Sequence, residues 1–140
     1  MELRFTTEPD VKYVAEHSVS RTILNDMPGQ RTWTYTLADE ERVLGLGGVE
    51  MITPNTAWAW IDVTDEVTHA DWYSVYRVIN EWSDQICKDL GITRLQAYVE
   101  CDFDVARRFI EHMGFEWEST MKNFVGDKDA DMYVKYMRVE

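Results

Sequence analysis

Two acidic residues, Glu50 and Asp62, are the side chains of this sequence best suited to act as a general base. Each stands late in a segment whose alternating pattern predicts a β-strand, and Trp58 and Trp60 come just before Asp62. Burial beside tryptophan rings raises the pKa of a carboxyl group toward neutrality, where the group can accept a proton during catalysis. Acids at strand ends are more often solvated, so a surface role stays open for both residues.

Histidines and cysteines could do chemistry of their own, but their spacing is not typical of a metal site or a disulfide framework. The residues are His17, His69, His112, Cys87 and Cys101. We therefore predict no metal, and we expect both cysteines to be small buried apolar residues. His69 alone stands at the predicted start of a long helix, where it could reach a phosphate or a thioester; an exposed turn histidine is the alternative.

A glycine-rich stretch, Gly45-Leu46-Gly47-Gly48, is similar in composition to a nucleotide-binding loop. Such a loop must be followed by a helix, whereas Val49 to Ile52 continue the alternation of a strand. The stretch therefore predicts a β-bulge or a close approach of two backbones.

Composition and charge limit the class of function. The chain has 140 residues, 45% of them hydrophobic and 13% aromatic, which is enough for the core of one domain spanning residues 1–140. Its 14 Lys and Arg against 26 Asp and Glu give a net charge of -12, which repels nucleic acid and anionic membranes. No apolar run approaches the roughly 18 residues of a membrane span, and the start has no signal-peptide core. We expect a soluble, cytoplasmic protein.

The first half of the chain alternates between hydrophobic periods of 2 and 3.6 residues, which predicts strands interrupted by a helix. The predicted elements are a short strand around Leu3 and Phe5, a helix from Asp10 to about Ile23 that is broken near Ser18, a hairpin of Arg31–Leu37 and Arg42–Ile52, and a strand over Thr56–Val63. Apolar residues on both faces of the last of these indicate a central, covered strand.

The second half predicts two helices, each followed by strands. The predicted elements are a long helix over Asp71–Leu90 capped by Gly91, a strand over Arg94–Glu100, a helix over Val105–Met113 ended by Gly114, and strands over Phe115–Phe124 and Met132–Val139 joined by a turn at 126–129. Taken together, the elements predict a mixed α+β fold.

This order of elements resembles the GNAT superfamily of N-acetyltransferases over nearly the whole chain. The segment at 106–116 (ARRFIEHMGFE) is similar to the family's helix that ends in Gly-Phe before a strand, and here the pair is Gly114-Phe115. The stretch at 89–92 (DLGI), followed by an alternating strand, looks like the family's cofactor-binding core. The resemblance implies a central, mixed, mostly antiparallel sheet of six or seven strands with a V-shaped splay, flanked by three or four helices.

The resemblance also implies a place for acetyl-CoA, as a co-substrate. In the family, acetyl-CoA lies between two parallel strands that splay apart, represented here by Thr56–Val63 and Arg94–Glu100. Backbone groups left unpaired by the splay hold the pantetheine arm, and Ile61 and Val63 are the residues implied for that contact.

The pyrophosphate of the co-substrate would rest on the turn that opens the long helix, where free N–H groups converge. The residues that align with this turn and are implied for the contact are Thr68, His69, Ala70 and Asp71. Glu50 or Asp62 would then take a proton, directly or through water, from the amine that attacks the thioester.

Several family positions hold other residue types in this sequence. Three glycines of the phosphate turn are replaced by His69, Asp71 and Tyr73, while the positions of an Asn and a Tyr hold Phe103 and Ile110. The pattern around Ile110 looks most like divergent GNAT-like proteins encoded by tailed phages. This implies an alternative role as a catalytically inactive fold that serves as a virion component or a protein-interaction module.

The primary function implied by the resemblance is N-acetyl transfer from acetyl-CoA to an amine in a ternary complex. The acidic surface favours an amine-bearing small molecule or a basic protein as the acceptor. A homodimer and a virion or host protein partner stay open, and for a phage-encoded protein the location would be the host cytoplasm or the virion.

Overall fold

Seven strands, three α-helices and one short 3-10 turn make up the part of the chain that the computed structural model describes, residues 1–19 and 32–137. In chain order these are β1 Glu2–Phe5, α1 Glu8–His17, β2 Thr32–Asp39, β3 Arg42–Thr53, β4 Thr56–Val63, the 3-10 turn His69–Asp71, α2 Trp72–Leu90, β5 Arg94–Glu100, α3 Asp104–His112, β6 Glu116–Val125 and β7 Lys128–Tyr136. The predicted order of elements is confirmed.

The seven strands form one sheet in the order β1-β2-β3-β4-β5-β7-β6. The β1–β2, β2–β3, β5–β7 and β6–β7 pairs are antiparallel, whereas β4 and β5 run parallel. The predicted α+β class and the mixed, mostly antiparallel sheet are therefore confirmed. The chain packs as two units, which we describe in turn: Met1–Met51 with Ala59–Ser83, and Ile52–Trp58 with Asp84–Glu140.

In the first unit, residues at and next to the two ends of α1 determine where this helix begins and ends. Pro9 stands in the first turn, and the Asp10 carboxylate accepts a hydrogen bond from the Thr7 N–H at 3.0 Å, which satisfies an otherwise unpaired donor. The helix ends at His17 because Ser18 adopts an extended backbone. The predicted break near Ser18 is confirmed, while the predicted continuation to Ile23 falls outside the described residues.

The glycines of β3 allow neighbouring backbones to approach closely. A Cβ atom at Gly45 would lie 2.5 Å from the backbone carbonyl oxygen of Asp62, and one at Gly48 would collide with the Trp33 carbonyl oxygen. The β2–β3 register also shifts between Leu37 and Ala38. The prediction of a bulge or a close backbone approach in this stretch is confirmed, and no side chain fits at either glycine.

In the second unit, β5 has both of its edges paired. It is hydrogen-bonded to the first residues of β4 on one side and along its whole length to β7 on the other, and Leu95, Ala97 and Val99 are buried. The preceding helix, α2, ends at Leu90, and Gly91 follows it with a φ of +73° that suits glycine. The Ile92 N–H donates to the Cys87 carbonyl at 2.8 Å. The predicted cap at Gly91 is confirmed.

The last strand differs most from its predicted bounds. β7 begins at Lys128 rather than Met132, so part of the predicted turn belongs to an inner strand. Asp131 in this strand is buried, and it accepts hydrogen bonds from Trp117 Nε1 at 3.1 Å and the Thr120 hydroxyl at 2.7 Å. These partners let an acidic residue lie within the sheet, which alternation alone does not predict.

The structure buries one of the two cysteines that were both predicted to be buried. Cys87 is buried, and burial raises the pKa of its thiol to about 11. Cys101 is half-buried and departs from the prediction, and both thiols are free. Within residues 1–19 and 32–137, no three His, Cys, Asp or Glu side chains are grouped as metal ligands. No helix in the same ranges combines the length and the apolar character needed to cross a membrane.

Candidate active site

Asp62, near the end of β4, is the predicted base that the structure buries. Only 5% of its surface is exposed, and its carboxylate accepts a hydrogen bond from the Ser18 hydroxyl. Burial raises the pKa of Asp62 because the charged form loses solvation, and the Ser18 hydrogen bond opposes that rise by stabilising the carboxylate. The residue therefore has the environment expected of a carboxylate tuned to accept a proton.

Glu50, the second predicted base, lies elsewhere. Its side chain is exposed near the end of β3, where it stands opposite Thr32 in the β2–β3 ladder. Gly45 is the β3 residue against the Asp62 carbonyl, and five residues of extended strand, about 17 Å, separate Gly45 from Glu50. The structure thus does not bring the two predicted carboxylates together.

Within the second unit, β4 and β5 form a parallel ladder. Thr56, Ala57 and Trp58 pair with residues 94–96 of β5. Residues 59–63 of β4 belong to the first unit, so the predicted splay of the two strands stays a prediction.

A segment of the first unit pairs with the end of β4. We call His17–Val19 the strap. The Val19 N–H donates to the Val63 carbonyl at 2.9 Å, the Asp65 N–H donates to the His17 carbonyl at 3.1 Å, and between them Ser18 and Thr64 form an antiparallel bridge. The carbonyl of Val63, a residue predicted to contact the co-substrate, is therefore already hydrogen-bonded to the strap.

The strap lies on the edge of β4 that faces away from β3. The Thr64 N–H donates to the Leu44 carbonyl of β3 at 2.8 Å, so the neighbouring residues Val63 and Asp65 direct their backbone groups to the opposite edge. By the same alternation, the N–H and C=O of Ile61 point to the edge that Val63 shares with the strap. Ile61 and Val63, the two residues predicted to hold pantetheine, therefore share one edge.

The predicted phosphate turn is closed by its own carboxylate. Asp71 accepts hydrogen bonds from the Thr68 N–H at 2.8 Å and the Thr68 hydroxyl at 2.9 Å. His69 and Ala70, between them, are exposed. The donors that this turn could offer to an anion are thus partly engaged by Asp71.

Arg42, at the start of β3, forms an ion pair that balances the negative charge of Asp71 in this turn. Its two guanidinium nitrogens donate to the two oxygens of Asp71 at 3.0 and 3.1 Å, and one of them also donates to Asp39 at 2.6 Å. The Arg42 guanidinium holds the pKa of Asp71 well below the usual range of a carboxyl group. Sequence reasoning missed Arg42 because it lies 29 residues from Asp71 and no local motif connects them.

In the second unit, the positions at which the family carries an Asn and a Tyr are apolar. Phe103 precedes α3 as its N-cap residue, and Ile110 within the helix is only 8% exposed. Neither side chain can donate a proton to a leaving group.

Comparisons with solved structures show the fold. The ribosomal-protein-S18-alanine N-acetyltransferase of Escherichia coli matches with a TM-score of 0.76 and 12% identity, covering 99% of this chain and 94% of that one. The spermidine N-acetyltransferase SpeG of Vibrio cholerae, as an F149A mutant, matches with a TM-score of 0.76 and 14% identity over 97% and 95%. A putative phosphinothricin N-acetyltransferase matches with a TM-score of 0.73 and 18% identity over 97% and 98%.

At these identities the likeness concerns the fold. No protein-family model and no curated protein sequence matches the chain. The predicted GNAT fold is confirmed, because the three N-acetyltransferases above share it over nearly their whole length.

Proposed function

We propose, from the fold of N-acetyltransferases, that residues 1–140 form one domain that transfers an acetyl group from acetyl-CoA to an amine. The observation that carries the proposal is the fold itself, which solved N-acetyltransferases share over nearly their whole length. The predicted splay of β4 from β5 would leave backbone groups that suit the amides of a pantetheine arm, because an extended ligand can pair with them as a strand would.

The binding residues of the proposal all belong to the first unit. Ile61 and Val63 would pair with the pantetheine arm through their backbones. The turn formed by Thr68, His69, Ala70 and Asp71 would lie at the phosphates, where the start of α2 offers the positive end of its dipole.

Asp62 is the better supported base of the two candidates, since it is buried and Glu50 is exposed. In the proposed reaction the amine nitrogen attacks the thioester carbon, the carbon–sulfur bond breaks, and the amine proton passes to Asp62, directly or through water. The CoA thiolate leaves and takes its proton from solvent, since Ile110 offers none. Glu50 is the alternative base.

A cationic amine is the acceptor class that the net charge of -12 favours. The solved neighbours include enzymes named for a polyamine, spermidine, and for an alanine of ribosomal protein S18. An amine-bearing small molecule and a basic protein are therefore both acceptors to test.

Thermal melting with acetyl-CoA tests the proposal directly. If the Kd is about 10 μM, about 1 mM acetyl-CoA adds roughly 2.7 kcal/mol of stability and raises the Tm by several degrees. Transfer of labelled acetyl groups to spermidine and to a basic peptide then tests the reaction. The absence of both a Tm shift and any transfer would contradict the proposal, and ATP, which has phosphates but no pantetheine arm, serves as the control for non-specific binding.

Asp71→Asn is expected to tighten acetyl-CoA binding about 3- to 10-fold at low salt. The substitution removes a negative charge beside the proposed phosphates and releases Arg42 to interact with them. Calorimetric titration measures the Kd, and the gain should shrink in about 0.5 M NaCl, where charges are screened. Glu81→Gln, an exposed acid elsewhere on α2, is the matched control. Equal Kd values for Asp71→Asn and wild type would show that the phosphates do not rest on this turn.

The second candidate is a protein-binding module that keeps the fold without catalysis. Trp117 of the edge strand β6 is 58% exposed and Phe124 is 42% exposed, and aromatic residues of this kind anchor protein interfaces. The missing proton donor at Ile110 fits this candidate equally well. Acetyl-CoA binding or turnover separates the two functions, because the module requires neither.

A further inference from the structure

The strap, His17–Val19, is paired with the same edge of β4 that the proposed function assigns to acetyl-CoA. Two backbone hydrogen bonds hold it, from the Val19 N–H to the Val63 carbonyl at 2.9 Å and from the Asp65 N–H to the His17 carbonyl at 3.1 Å. A carbonyl that already accepts one strand-like hydrogen bond cannot offer the same geometry to a second strand-like partner.

Side chains on both sides of the bridge add to the attachment of the strap. The Tyr13 hydroxyl donates to Glu66 at 2.9 Å, and the Tyr13 ring stacks on His17 with a centroid distance of 4.2 Å. His17 Nδ1 lies 3.8 Å from the Asp65 carboxylate. The last turn of α1 and the residues after β4 therefore form one continuous contact within the first unit.

The strap also reaches the proposed base. The hydroxyl of Ser18, the middle residue of the strap, donates a hydrogen bond to the carboxylate of Asp62, which is buried. A hydrogen bond to a carboxylate stabilises the charged form and weakens the group as a base. If the strap leaves β4, it must therefore also release Asp62.

We infer that the strap is an intramolecular competitor of acyl-CoA, which must displace it from β4 before the pantetheine arm can pair with Val63. This regulation rests on the proposed function, since it concerns the same edge. Binding of the co-substrate and release of Asp62 by Ser18 are then one event, so the base becomes stronger when the thioester is present.

Val19→Pro tests the competition, because proline lacks the N–H that bonds to Val63. Val19→Ala, which keeps the N–H, is its matched control. Loss of one strap hydrogen bond is expected to lower the Kd for acetyl-CoA about 3- to 10-fold, measured by calorimetric titration. Asp65→Pro, compared with Asp65→Ala, removes the other hydrogen bond and should act in the same direction. The two proline substitutions lie on opposite sides of the bridge. If one variant fails to fold, the other still tests the competition.

Hydrogen exchange on the wild-type protein gives a second readout. Saturating acetyl-CoA should speed exchange at the amides of Val19 and Asp65, because both lose their partners when the strap leaves. The amide of Thr64, which bonds to β3, should keep its protection and serves as the internal control.

The outcomes separate this inference from the proposed function. Tighter binding by the proline variants than by their alanine controls supports the competition, even where wild type binds too weakly to measure. Equal Kd values in wild type and both proline variants, with unchanged exchange at Val19 and Asp65, would overturn the competition and leave the proposed function in place. Absence of binding by wild type and by every folded variant would overturn the proposed function, and the competition with it.

Discussion

Asp62→Asn is expected to lower kcat for acetyl transfer by at least about 100-fold, the loss typical of removing a general base. Asparagine has nearly the same shape and keeps an oxygen that can accept the Ser18 hydrogen bond, so the strap and the fold should persist. The Kd for acetyl-CoA should therefore stay close to that of wild type. Steady-state kinetics with the best acceptor, combined with titration of acetyl-CoA, separates loss of chemistry from loss of binding.

The pH profile identifies the group that titrates. Burial raises the pKa of Asp62 above its ordinary value of 3.8, and a base must be deprotonated to act, so kcat/KM should fall as the pH drops through that raised pKa. Ser18→Ala removes the hydrogen bond that opposes the rise, and it should move this acidic limb to higher pH. A limb that arises from the acceptor amine would not move in Ser18→Ala.

Glu50→Gln is the matched control, because Glu50 is the alternative base and is exposed. Its turnover should equal that of wild type between about pH 6 and 9 if Asp62 carries the proton. A large loss in Glu50→Gln together with wild-type turnover in Asp62→Asn would reverse the assignment. Loss in neither variant would show that the proton leaves through water alone.

Stability gives a readout of Asp62 that does not depend on activity. Because the folded protein raises the pKa of this group, its ionised form costs stability, and the contribution that favours folding is fully present below 3.8. That contribution is lost as the pH rises through the pKa of the folded state. Asp62→Asn should therefore melt at a higher temperature than wild type at pH 7, and the difference should shrink as the pH falls.

Most of the fold could be predicted from the sequence because its elements have strong periodic patterns. Thr56–Val63 and Arg94–Glu100 have the predicted bounds, and α2 begins one residue later than predicted. The predicted start of β7 is too late because Lys128–Asp131 contains three charged residues, which favour a turn when considered alone. The partners that stabilise Asp131 within the sheet come from β6, and no window of ten residues contains them.

The candidate site was less predictable, since its decisive contacts join distant parts of the chain. Asp62 was identified by its place late in a strand beside tryptophans, a local signal. The pairing of Ser18 with Thr64 spans 46 residues, and the Arg42–Asp71 ion pair spans 29. Each depends on strand register, which periodicity does not fix between elements that are distant in sequence. A search for a basic residue near the phosphate turn therefore finds none, although the fold supplies Arg42.

Asp10→Ala is expected to lower the free energy of unfolding by about 1 to 3 kcal/mol, the cost of leaving the donors around a buried carboxylate unpaired. Asp10 is 5% exposed, and its carboxylate accepts hydrogen bonds from both terminal nitrogens of Arg4 at 2.6 and 2.9 Å. The Thr7 N–H at 3.0 Å and the Thr36 hydroxyl at 2.9 Å complete its partners. Removing the carboxylate would leave these donors unpaired and partly buried, which costs more than the ion pair itself contributes.

The pH dependence of this loss distinguishes the ion pair from simple packing. The Arg4 guanidinium holds the pKa of Asp10 well below the ordinary value of 3.8, so the stabilisation is fully present above 3.8 and is lost as the pH falls through the pKa of the folded state. The difference in unfolding free energy between wild type and Asp10→Ala, measured by urea denaturation, should therefore be largest near neutral pH and shrink in acid. Glu8→Ala, an exposed acid in the same helical turn, should cost far less and serves as the control. A loss in Asp10→Ala that equals that of Glu8→Ala, or that does not change with pH, would contradict the Arg4–Asp10 ion pair as the anchor of α1 on β1.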